Sequence, residues 1–96
     1  MKFIKIGVHN EKFWTSPPAD MAQLLKSHFI WLEKQKQDGK LLEAYFLPGC
    51  LRNISIWEFE SAEAIDKHFR DDPLSLAFDW EIHPATDLFE HLKKCI

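Results

Sequence analysis

Between Pro17 and Lys40 the apolar positions fall on one side of a helix. Met21, Leu24, Leu25, His28, Trp31, Leu32 and Gln35 recur at i, i+3, i+4 and i+7 spacing. Lys26, Glu33, Lys34, Lys36 and Gln37 fill the opposite, solvated side. His28 stands in the middle of the apolar face. Gly39 ends the helix as a left-handed cap would. Ser16 is placed to cap the first turn, with Pro17 where no backbone N–H is missed.

The flanking segments read with a period of two. Lys2–His9 is a strand built on Phe3, Ile4, Ile6 and Val8, with Gly7 as its weak point. In Leu41–Leu47, Leu41, Glu43, Tyr45 and Leu47 face one way and Leu42, Ala44 and Phe46 the other. In Asn53–Glu60, Ile54, Ile56 and Glu58 oppose Ser55, Trp57 and Phe59. Pro48 and Gly49 turn the chain between these strands. Ser61 caps a helix running to about Arg70, with Ala62, Ile65 and Phe69 inward, and Asp71-Asp72-Pro73 breaks it. Asp79–His83 is a short fourth strand. Thr86 caps a final helix whose Leu88, Phe89 and Leu92 can pack inward. The Asn10–Pro18 loop holds Phe13 and Trp14, either as a hydrophobic staple onto the long helix or as a lid over a pocket.

Strand, helix, strand, strand, helix, strand and a tail helix predict an α+β fold of ferredoxin-like βαββαβ topology, one domain over residues 1–96. Both central strands are apolar on both faces, and one chain of this length has helix enough for only one of them. A second copy facing the free side, giving a dimeric α+β barrel, is the expected cover. Eight Phe, four Trp and one Tyr in 96 residues point the same way, to an interface or a ligand pocket. The formal net charge of −3 argues against nucleic-acid and anionic-membrane partners. No apolar run reaches the roughly 20 residues of a membrane span, and the start of the chain has no signal-peptide pattern. Cys50 and Cys95 lack metal-site spacing and are expected as free thiols in a cytoplasmic setting. His9, His28, His68, His83 and His91 show no HxH or HxxxH pair, so neither a metal nor a cofactor is expected.

Gly49-Cys50-Leu51-Arg52-Asn53-Ile54-Ser55-Ile56-Trp57, followed by Ser61, Glu63 and Ala64, resembles the muconolactone isomerase family, as do Pro73-Leu74 and then Asp79, Glu81 and Ile82. The resemblance implies a dimeric α+β barrel that assembles further into rings and transfers a proton between ring carbons of a small lactone. That family carries acidic residues in its first helix, one proposed as the proton-transfer group, where this chain has His28. His28, Trp31-Leu32, Gly39-Lys40-Leu41 and Asp72-Pro73 are similar to the YCII-related family, whose first-helix histidine and pre-proline aspartate are proposed to act as a pair.

The candidate chemistry is therefore His28 as a general base, with Asp72 fixing its tautomer, against a buried structural histidine and an aspartate that only caps the turn before Pro73. Asn53, Ser55 and Trp57 share a strand face and are candidates to orient a substrate carbonyl or carboxylate. Arg52 is a candidate to hold a carboxylate bidentately, and Trp31 to line an apolar pocket. The plain alternatives are edge-strand hydrogen bonding, a solvated arginine and a core tryptophan. Two functions are compatible with this pattern: acid–base chemistry on a small organic acid or lactone, and non-catalytic ligand binding or assembly on the same fold.

Overall fold

The computed structural model describes residues 1–96. In chain order it contains β1 (Lys2–His9), α1 (Glu11–Thr15), α2 (Pro18–Gln37), β2 (Leu41–Leu47), β3 (Arg52–Glu58), α3 (Ala62–Phe69), a 3-10 turn (Ser75–Ala77), β4 (Phe78–Ala85) and α4 (Leu88–Cys95). The sheet order is β2-β3-β1-β4 with every neighbouring pair antiparallel, which is the ferredoxin-like α+β arrangement. Pro84 is accommodated because β4 is an edge strand.

Local chemistry sets the element ends. Gly39 has φ +77°, and the Gly39 and Lys40 amides bond the Lys36 and Gln35 carbonyls, closing α2 in a left-handed turn. The Ser61 hydroxyl accepts from the Ala64 amide at 3.1 Å and starts α3. Ser16 does not cap α2, whose N-cap is Pro17 and has no side-chain bond. Instead its hydroxyl donates to the Lys12 carbonyl at 2.6 Å and finishes α1. Asn10 starts α1 by accepting from the Lys12 amide, so the segment expected as a loop holds a helical turn. The left-handed residue of the β2–β3 turn is Leu51, with φ +52°, rather than a glycine.

Strand β2 carries one correction to the period-two reading. Leu41 pairs with Trp57 but Glu43 pairs with Ile56, so a bulge absorbs Leu42. Leu41 therefore turns to the helix side with Ala44 and Phe46, and is buried.

The helix-facing side of the sheet is layered across the strands. The first row runs Leu41, Trp57, Phe3 and, exposed at the edge, Pro84; its three bulky apolar members join Phe59, Ile65 and Phe69 in the main core. The next row is Ala44, Ser55, Lys5 and Ile82, and the third is Phe46, Asn53, Gly7 and Trp80. Small and polar residues replace large apolar ones in the middle of those two rows, so α2 cannot close down on the sheet there. At the far end Met21, Leu74, Ala77 and Phe78 form a second apolar cluster. The opposite sheet face carries Ile4, Ile6, Ile54 and Ile56, with Tyr45, Leu47 and Val8 exposed, and no helix covers it.

Helix α4 departs from expectation. Its cap is Asp87, which accepts from the Glu90 amide, rather than Thr86. Leu88, Phe89 and Leu92 are exposed instead of packed inward. Ala85 already pairs with Lys2 at the start of β1, so α4 begins beyond the end of the sheet.

Candidate active site

The space left between α2 and the middle rows is a cavity of about 550 Å³. Helix α2 supplies Leu25, His28, Phe29 and Leu32 to its wall, and the sheet supplies Lys5, Ala44, Phe46, Asn53, Ser55 and Trp57. His9 and Phe78 lie at one end. The lining is mainly apolar, with a few polar groups converging on it, as in small-ligand sites. Exposed Leu25, Phe29, Tyr45 and Phe46 form an apolar mouth.

Two of the sequence candidates meet at the wall. His28 Nδ1 lies 2.7 Å from Asp72 Oδ1. That same oxygen accepts from the Leu74 amide at 2.9 Å. Asp72 thus caps the turn before the 3-10 segment and also holds the histidine; the two roles belong to one oxygen atom. Asp72 is 3% exposed, and its Oδ2 has no protein partner. A carboxylate only accepts, so Nδ1 carries the proton in neutral His28 and Nε2 is left as the basic nitrogen of a ring that lines the cavity.

Ser55 and Asn53 also reach the cavity. The Trp57 indole N–H donates to Ser55 Oγ at 2.7 Å, which leaves the serine hydroxyl hydrogen free to donate. Asn53 is seated by Gly7: a Cβ at position 7 would come within 2.8 Å of Asn53 Oδ1. The residue read as a weak point of β1 is the place where this side chain crosses the strand.

Arg52 and Trp31 lie elsewhere. Arg52 pairs with Val8 and Leu47 on the far sheet face and lines a small cleft with Asp79 and Glu81. Trp31 packs against the core, its ring centroid 5.9 Å from Trp57 and 5.3 Å from His68. Phe13 and Trp14 cover His9 rather than the cavity mouth, with Phe13 stacked on the imidazole at 3.9 Å.

Two wall residues were not singled out by sequence reading. Lys5 is 7% exposed, and burial drops its ammonium to about 8, a fall partly opposed by the charge of Asp72. Its Nζ lies 4.2 Å from the Phe69 ring centroid and 5.1 Å from that of Trp80. His9 is held below its usual range by burial and then by the nearby His28. His68, bonded to Gln35 behind the wall, is also lowered, first by burial. No three or more His, Cys, Asp or Glu side chains cluster to hold a metal.

Muconolactone isomerase superimposes with a TM-score of 0.78 over 91% of this chain and 90% of its own, at 19% identity. The chain has the fold of muconolactone isomerase. The 5-chloro-2-hydroxyhydroquinone dehydrochlorinase from Burkholderia phenoliruptrix, in complex with 2,5-dihydroxybenzoquinone, matches with a TM-score of 0.71 over 94% of this chain and 98% of its own, at 14% identity. No protein-family model and no curated protein sequence matches the chain. The YCII-related resemblance is not shown by these comparisons. No helix is long and apolar enough to cross a membrane.

Proposed function

We propose that the protein is a small acid–base enzyme that moves a proton on a small organic acid or lactone, with His28 as the proton-transfer group. The observation that carries this reading is the 2.7 Å bond from His28 Nδ1 to buried Asp72, made on a ring that lines an apolar cavity. Asp72 orients the imidazole and leaves Nε2 as the nitrogen that takes the proton. The mainly apolar walls offer few polar partners that could compete with a substrate for Nε2. Ser55 and Asn53 are the donors that would receive negative charge developing on a substrate carbonyl oxygen. The two structural neighbours named above are an isomerase and a dehydrochlorinase, each named for a small oxygenated substrate, and that supports the substrate class.

The working form in this proposal is a homodimer, with the uncovered isoleucine face of the sheet as the interface; assembly of such dimers into rings belongs to the same reading. Cys50 and Cys95 are both exposed free thiols, which fits a reducing, cytoplasmic setting.

The test is solvent exchange. Muconolactone and related unsaturated lactones are incubated with the protein in heavy water and followed by proton NMR. Loss of a ring C–H signal that slows by about 10²-fold or more in His28→Gln is the expected result. Ligand binding without any exchange would instead favour a non-catalytic binding module on the same fold.

A further inference from the structure

Three buried polar groups at or beside the cavity wall lack a protein partner: His9 Nδ1, Asp72 Oδ2 and the Lys5 ammonium. Of these only Lys5 is a cation that lines the cavity. Its side chain is more than nine-tenths buried, yet its ammonium takes part in none of the molecule's hydrogen bonds or ion pairs. Phe69 and Trp80 give it two ring faces, which attract a cation but accept none of its three N–H donors. Burying a charge without an acceptor is costly, and chains keep such groups where the charge has a use.

The surroundings define that use. In the sheet, Lys5 is flanked by Ser55 on β3 and Ile82 on β4. Asp72, from the turn after α3, gives Oδ1 to His28 and the Leu74 amide; its Oδ2 is buried and unpartnered but makes no hydrogen bond or ion pair with Lys5. His28 from α2 and His9 from β1 share the cavity. No acidic side chain lines the cavity, whose only fixed charge at neutral pH is the lysine.

We infer that Lys5 is the anion anchor of the cavity: it binds the carboxylate, or an equivalent planar oxyanion, of a small unsaturated ring compound, with Ser55 donating to the same group and the ring lying against Trp57 and Phe46. The inference rests on the functional reading above and adds the substrate's charge. The role that sequence reading gave to Arg52 passes to a lysine on the opposite sheet face. Anchoring one end of the ligand at Lys5 would present its ring carbons to His28 across the cavity.

Benzoate and benzamide, alike in shape and different in charge, test this by Trp fluorescence titration between pH 7 and 9.5, above the ordinary histidine range. The anchor predicts benzoate bound about tenfold or more tighter than benzamide at pH 7. The preference should fade above about pH 8, where Lys5 loses its proton. In Lys5→Met the two ligands should bind alike, while His28→Gln keeps the benzoate preference. Selective NMR of the lysine side chains provides a second readout: saturating benzoate should move the Lys5 titration midpoint upward. Equal affinity for the two ligands, failure of both to bind, a preference that survives in Lys5→Met, or an unmoved Lys5 midpoint would each overturn the anchor. Because neither readout requires turnover, an inactive protein that still discriminates benzoate through Lys5 would sink the catalytic reading and leave the anchor standing.

Discussion

Lys5 costs the fold stability. In the unfolded chain its ammonium is in water; in the folded protein burial lowers its pKa from 10.5 to about 8. Below pH 8 both states hold the proton and the folded state bears the desolvation cost. Between about pH 8 and 10.5 the unfolded chain binds more protons, so this residue's contribution to stability rises with pH across that window. The size is on the order of 1–3 kcal/mol, less what the two aromatic faces return. Chemical denaturation should therefore find Lys5→Met more stable than wild type at pH 7, by about 1–2 kcal/mol, with the gap closing as pH approaches 10. A less stable variant at pH 7 would mean that the ammonium is satisfied in a way the fold does not reveal. Such a cost borne by one side chain is expected of a binding group and is hard to explain as packing.

The elements show what a sequence can and cannot disclose. The amphipathic face of α2 and the Gly39 stop were legible because helical period and cap chemistry are local. His28 was legible as the one titratable group on that face, and Asp72 as the residue before a proline. Lys5 and His9 carried a signal too: in β1, Phe3, Lys5, Gly7 and His9 alternate with Ile4, Ile6 and Val8, so the polar residues share one face. That signal is masked because the apolar run Ile4, Ile6 and Val8 looks like the core side, whereas the register puts Phe3 in the core and leaves the isoleucines outward. The Leu42 bulge and the end of β4 relative to β1 depend on pairing between distant segments, so neither Leu41's burial nor α4's exposure could be read locally. The β2–β3 turn offers a test at this scale. Leu51 holds φ +52°, which a branched side chain tolerates poorly. Leu51→Asn should raise stability by about 0.5–1 kcal/mol in thermal unfolding. A loss would show that the half-exposed Leu51 side chain makes contacts that outweigh its backbone strain.

At the scale of the whole molecule, the helices cover one sheet face and the other lies open. Ile4, Ile6, Ile54 and Ile56 form its centre, flanked by Tyr45, Leu47 and Val8. An open apolar sheet face of this kind is the form that a homodimer interface takes before its partner arrives. Sedimentation at micromolar concentration should report a dimer, and Ile56→Glu should yield monomer or precipitate, since a charge at the centre of the seam would be buried unpaired. A stable wild-type monomer would contradict this. The cavity lies mainly on the helix side, but Tyr45 and Ile54 of the open face also line it, so dimerisation can bear on the site directly as well as through stability.

The proposed chemistry requires that Asp72 hold His28 with Nε2 open to the cavity. Histidine-selective 15N NMR, with His28 assigned by comparison with His28→Gln, tests it most directly. At a pH where His28 is neutral, the account predicts a protonated Nδ1, an unprotonated Nε2, and an Nε2 signal that shifts when benzoate fills the cavity. A proton on Nε2, or an Nε2 signal indifferent to the ligand, would mark His28 as a structural histidine and contradict the account.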